Sequence, residues 1–143
     1  MKYLLMVLAG FLVTVSALAE SEVTVYKSPT CGCCKKWISH LEDNGFRVKA
    51  VDMNSVMPIK RQYGIGNSTA SCHTALIDGY VIEGHVPASD IKRLLKDKPG
   101  HIRGLAVPGM PVGSPGMEQG ARKDPYAVLS IDKTGRTEVY SRH

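Results

Sequence analysis

Three cysteines fall within four residues, at Cys31, Cys33 and Cys34, and the segments flanking them leave few folds open. Before them, Val23-Thr24-Val25-Tyr26-Lys27 places β-branched and aromatic residues as a short strand does. Pro29 cannot continue that strand as a paired central one. After them, Trp37, Ile38 and Leu41 recur at helical spacing, and Gly45 supplies a stop. The thiols therefore stand at a strand-to-helix junction, at or just before the first helical turn. There the unpaired backbone N–H groups and the positive end of the helix dipole stabilise an anion. A thiolate is such an anion, so these cysteines are expected to ionise easily and to be reactive or metal-ligating. Lys35 and Lys36 push the same way.

The remaining cysteine is Cys72. Four cysteines in an exported protein would ordinarily form two structural disulfides. Three crowded into residues 31–34 cannot staple distant segments, and at most one of them can pair with Cys72. Export itself is expected from residues 1–19. Lys2 gives a positive start, Leu4 to Val15 an apolar run, and Ala17-Leu18-Ala19 a small-x-small cleavage pattern. A retained anchor would need roughly 18 or more apolar residues. No cysteine follows the run to take a lipid. Residues 20–143 are then expected as one soluble domain, with no stable membrane insertion after cleavage. Removing Lys2 from the 18 basic residues leaves 17 against 13 acidic, a net +4. The basic residues are scattered and not interleaved with aromatics, which argues against nucleic acid as a partner.

Beyond the first helix, Phe46 to Asp52 alternates as a second strand, parallel to the first because a helix connects them. Val56, Met57, Ile59, Lys60 and Tyr63 suggest a second helix, with Asn54 or Ser55 as N-cap and Pro58 in its first turn. His73 to Ile77, the pair Asp78-Gly79, and Tyr80 to Gly84 form a hairpin signal of the type I′ kind. Pro87 to Lys96 reads as a third helix. The order β-α-β-α-β-β-α, with thiols after the first strand, is the thioredoxin-like arrangement, although fold alone does not set function. Leu105 to Gly120 is rich in proline and glycine and lacks periodicity, so it reads as a long Met-bearing loop that is either functional or disordered. Tyr126 to Ile131 and Arg136 to Tyr140 then read as an added β-hairpin extending the sheet.

A two-residue turn at Asp78-Gly79 sets the hairpin register, pairing Ile77 with Tyr80 and, at the base, Cys72 with His85. Opposed residues have Cβ atoms about 4.5–5.5 Å apart. Cys72 and His85 are thus expected beside the three-thiol junction, with His85 at a strand end and outside the core. If the strand has begun at His73, that side chain points to the other face. Cys31 and Cys34 have the spacing of a thiol–disulfide oxidoreductase, with Cys31 attacking and Cys34 resolving. Cys33 and Cys72 exceed what such a pair needs. Converging soft sulfurs favour Cu(I), zinc or an iron–sulfur cluster. Met110 and Met117 in the loop, with His85 near, tilt the choice toward copper, since thioethers are weak zinc ligands. No twin-arginine pair precedes the apolar run, which argues against an exported iron–sulfur cluster.

The segments Val25-Tyr-Lys-Ser-Pro-Thr-Cys-Gly-Cys-Cys34, Ala70-Ser-Cys-His-Thr-Ala75, Asp78-Gly-Tyr-Val-Ile-Glu-Gly-His-Val-Pro87 and Gly109-Met-Pro-Val-Gly-Ser-Pro-Gly-Met-Glu118 resemble the CopG-type copper-resistance proteins. These are exported bacterial proteins of thioredoxin-like fold, and the resemblance runs from Glu22 to Tyr140. It implies a multinuclear copper site on Cys31, Cys33, Cys34 and Cys72 and a role in periplasmic copper tolerance. Interconversion of Cu(I) and Cu(II), and contact with other periplasmic copper-handling proteins, are further implications. His85, Met110 and Met117 are candidates for additional ligands.

Overall fold

The computed structural model describes residues 22–143. The expected targeting segment, residues 1–19, lies outside them. Ten elements follow in order: β1 (Glu22–Lys27), α1 (Gly32–Asp43), β2 (Arg47–Asp52), α2 (Met57–Gln62), β3 (Thr74–Ile77), β4 (Tyr80–Glu83), α3 (Ala88–Asp97), β5 (Ile102–Ala106), β6 (Ala127–Asp132) and β7 (Thr137–Arg142). The seven strands form one mixed sheet in the order β2-β1-β3-β4-β5-β6-β7. β1 pairs parallel with β2 and antiparallel with β3, and β3 pairs antiparallel with β4. The β-α-β-α-β-β-α order read from the sequence is present, and the added C-terminal hairpin is β6–β7.

The sequence gives no sign of β5, whose last residues, Leu105 and Ala106, read as the start of the long loop. β5 is short, and Gly104 interrupts its alternation. That glycine is required: a Cβ there would lie 2.1 Å from the Val81 carbonyl oxygen of β4. β5 runs parallel to β4 after the α3 crossover, so β4-α3-β5 is a second β-α-β unit. The Cap of α2 also differs from expectation. Its N-cap is Val56, which has no side-chain cap, although Ser55 Oγ accepts from Met57 N–H at 3.3 Å.

Val23 and Val25 on β1 pack with Trp37 and Leu41 of α1, Ile91 and Leu94 of α3, and Ala75, Ile77, Ile82 and Leu105 of the central strands. A smaller cluster of Ile65, Val81, Ala106 and Ile131 packs with Tyr63 and Leu76. Strand connectivity brings three chain segments to one end of the sheet: the β1–α1 junction, the approach to β3, and the exit of β4. Asp78 (φ 47) and Gly79 (φ 82) make the turn at the far end of β3–β4, as their sequence demands. Among the described residues, no helix is long and apolar enough to cross a membrane.

Candidate metal centre

Cys31 is the N-cap of α1, and its Sγ accepts from Cys34 N–H at 3.3 Å. The junction expected from the sequence is therefore the one observed. Cys31 and Cys34 are joined as a disulfide, while Cys33 and Cys72 are free. Cys33 Sγ lies 3.5 Å from Cys31 Sγ and 3.8 Å from Cys72 Sγ, and Cys34 Sγ lies 3.5 Å from Cys72 Sγ. All four sulfurs meet at one point. Burial, with the neighbouring Cys33 adding to it, pushes the Cys72 thiol up to about 12.

The hairpin register carries through from Ile77↔Tyr80 to Thr74↔Glu83, and Gly84 N–H continues it by donating to His73 O at 3.1 Å. Cys72 and His85 come out as neighbours, with Cys72 Sγ 3.1 Å from His85 Nε2. His85 Nδ1–H donates to the Pro115 carbonyl at 2.8 Å, which leaves Nε2 unprotonated and facing the thiol. Contrary to expectation, His85 is fully buried, because the long loop closes over it through Pro115. Burial holds its pKa below the usual histidine value, against the pull of the Pro115 hydrogen bond.

His73 precedes β3 instead of starting it, so the alternation that would have turned it away does not apply. Its Nδ1 lies 3.2 Å from Cys72 Sγ, and its ring sits 4.4 Å from Trp37 and 5.0 Å from His85. His73 is fully buried, and its Nε2 has no hydrogen-bond partner among the described residues. Burial is the main cause of a pKa held well below the usual value, with His85, were it protonated, and Lys60 adding repulsion, so the ring is neutral. Trp37 is core, as its helical spacing suggested, and its Nε1–H donates to Val86 O at 2.9 Å.

The loop after β5 is irregular but docked. Gly116 (φ +86) lies so close to α1 that a Cβ would come within 2.8 Å of both Cys33 O and Trp37 N. Next to it, Met117 lines a cleft of about 300 Å³ with Gly32, Cys33, Lys36 and Gln119. Met110 is half exposed and belongs to the outer part of the loop. Its neighbour Gly109 ties that part down, donating to Ala70 O at 3.1 Å and accepting from Ser71 Oγ at 2.5 Å. Met117 thus reaches the thiol cleft, whereas Met110 stands at the outer surface.

Sequence reasoning overlooked the buried pair Lys60–Glu83. Glu83 Oε1 accepts from Lys60 and from Ser71 N–H at 2.6 Å, and Oε2 accepts from Thr74 Oγ1 at 2.7 Å. Burial raises the Glu83 pKa, and Lys60, Thr74 and Ser71 oppose that rise. A signal was available: Lys60 lies four residues after buried Val56, and Glu83 two after buried Val81, so both occupy inward positions of their elements.

Two donor groups share Cys72: Cys31, Cys33, Cys34 and Cys72 form one, and Cys72, His73 and His85 the other. Within each group the donor atoms all lie within 4.8 Å of one another. An α/β protein that gathers four sulfurs and two neutral imidazoles at one end of its sheet has the site of a metal-binding protein. Two solved structures of a copper resistance protein CopG, Forms 2 and 1, are similar to this chain at 45% identity. Form 2 has a TM-score of 0.82, covering 86% of this chain and 98% of its own; Form 1 has 0.81, covering 85% and 96%. Residues 69–117 match a family described as a protein of unknown function, DUF411. No curated protein matches the chain. The chain belongs to the CopG family of copper resistance proteins.

Proposed function

We propose that this is an exported copper-binding protein of copper resistance, built on a thioredoxin-like scaffold and released as residues 20–143 into the periplasm. It holds more than one copper on Cys31, Cys33, Cys34 and Cys72. His85 lies beside them, and the covering loop offers Met117 at the cleft and Met110 toward solvent. The observation that carries this is the sharing of Cys72 between an all-sulfur group and a sulfur–imidazole group. A thiolate can bridge two metals, and two adjoining donor groups are more than one ion needs. The names of the similar structures point to copper among the soft metals. The donors fit that assignment: sulfur favours Cu(I), imidazole also accepts Cu(II), and the buried His73 ring brings Nδ1 to 3.2 Å from Cys72 Sγ. A site with both donor types suits interconversion of the two oxidation states. The Cys31–Cys34 disulfide must be reduced before all four sulfurs can ligate, and the Cys72 proton must leave.

The test is an anaerobic Cu(I) titration of the reduced mature chain against a competing chelator, with sulfur and nitrogen neighbours counted by X-ray absorption. More than one tightly bound copper with mostly sulfur neighbours is expected. One copper with oxygen and nitrogen neighbours would refute it.

The disulfide itself favours a second function, thiol–disulfide exchange by Cys31 and Cys34. Insulin reduction decides between them. Copper-independent activity comparable to a dedicated thioredoxin would reverse the ranking.

A further inference from the structure

Cys72 lies in a short segment whose two ends are gripped by one buried carboxylate. Glu83 Oε1 accepts from Ser71 N–H at 2.6 Å, and Oε2 accepts from the Thr74 hydroxyl at 2.7 Å. Between those two anchor points stand Cys72 and His73. Lys60 of α2 braces the arrangement, donating to Glu83 and, at 3.1 Å, to Thr74 Oγ1. Glu83 and Thr74 are fully buried and Lys60 is 5% exposed. Two residues after Glu83 the same chain presents His85 to Cys72.

Such a pair is a poor source of stability. Desolvation cancels most of its attraction, and apolar side chains of similar volume often serve as well or better. The neighbouring Val81 and Ile65 show that apolar packing is at home on this face. An apolar pair could not accept from Ser71 N–H or Thr74 Oγ1, so the Cys72 segment would lose both carboxylate anchors. It would keep only the Gly84 N–H bond to His73 O, the Ser71 Oγ bond to Gly109 O and the strand pairing of Thr74. Groups that orient a metal ligand from behind are typically worth about 10–100-fold in metal affinity.

We propose that Glu83, braced by Lys60, is a positioning residue of the metal centre, clamping the segment Ser71–Thr74 so that the Cys72 thiol faces Cys33, Cys34 and His85. The role in metal binding rests on Cys72 being a ligand, as proposed above. Glu83 itself touches no sulfur and acts through Ser71 and Thr74.

Two double variants of the mature chain separate the clamp from the charge. Lys60→Met/Glu83→Gln keeps a neutral side chain that can accept from Ser71 and bond Thr74, whereas Lys60→Met/Glu83→Leu keeps neither bond. Cu(I) affinity is measured anaerobically, and Ser71 amide exchange is measured on the metal-free protein. The Gln variant is expected to stay near wild type in both. The Leu variant should still fold, melting somewhat below wild type because Ser71 N–H and the Thr74 hydroxyl lose their acceptor. It should lose at least about tenfold in Cu(I) affinity and lose Ser71 amide protection. Wild-type affinity and protection in the Leu variant would overturn the clamp. Equal loss of affinity in both variants would also overturn it, by assigning the effect to charge. If the Leu variant does not fold, Thr74→Val removes one anchor and leaves the ion pair, and unchanged affinity there overturns the proposal. If Cys72→Ser binds Cu(I) like wild type, the ligand assignment fails on its own. Amide protection lost in Leu and kept in Gln would then still support the clamp, and protection kept in both would refute it.

Discussion

Replacing His85 separates a ligand from a structural strut, because its two nitrogens have different partners. The ring is fully buried; Nδ1 donates to Pro115 O at 2.8 Å and Nε2 faces Cys72 Sγ at 3.1 Å. His85→Ala removes both contacts, each worth about 1 kcal/mol net, and leaves the Pro115 carbonyl and a ring-sized gap behind. The expected loss in the metal-free protein is about 2–4 kcal/mol, a fall in Tm on the order of 10 °C. His85→Asn places its amide nitrogen where Nδ1 was, so the loop tether survives and only Nε2 is lost. Its expected cost is about 1–2 kcal/mol. If Nε2 serves the metal, His85→Asn should still weaken or reshape copper binding, with a changed ligand-to-metal absorption band. Thermal melts of the metal-free variants, followed by anaerobic copper titration, measure both. Wild-type copper binding in His85→Asn, with the melting loss as expected, would show His85 to be a strut only.

Other consequences are simpler. Met117→Leu preserves volume, so the metal-free chain should lose under about 1.5 kcal/mol, while copper affinity or redox behaviour changes; Met110→Leu, half exposed, should leave stability untouched, and unchanged copper behaviour in both would confine the site to the other residues. Gly116→Ala forces a side chain into a positive-φ position against Cys33 O and Trp37 N, and should cost about 2 kcal/mol or more and lift the loop, seen as faster proteolysis within residues 107–125. His40, His73 and His85 all have lowered pKa values, chiefly from burial. Their neutral forms favour the folded state above about pH 6.5, and stability should fall as pH drops below it, by at most about 1.4 kcal/mol per pH unit per histidine. The raised Glu83 carboxyl opposes this by at most one proton. Melts of the metal-free protein from pH 7.5 to 5.5 check it, and a flat or rising Tm on acidification would contradict the assignment of these rings as neutral.

Most of the frame was legible because each early element carries its own local signal. The strand before Pro29, the cysteine at the helix start, and Asp78-Gly79 are governed by short-range rules, and together they placed Cys72 beside His85. What escaped depends on partners distant in sequence. β5 shows little alternation because Gly104 serves the close approach of Val81. His73 was judged by a strand boundary one residue off, and only the tertiary contact with Trp37 reveals its burial. The burial of His85 depends on a loop thirty residues later, docked through Pro115 and Gly116, which no periodicity announces. The spacing of Lys60 and Glu83 marks each as inward on its own element, but that the two meet becomes visible only once α2 and β4 share a face.

The most direct measurement is the copper content of the reduced mature chain, titrated anaerobically with Cu(I) and counted by elemental analysis, for wild type, Cys33→Ser and Cys72→Ser. The shared Cys72 predicts more than one copper per chain in wild type, and the loss of more than one copper on each single substitution. One copper per chain, retained in Cys33→Ser, would contradict a multinuclear centre and leave a simple carrier.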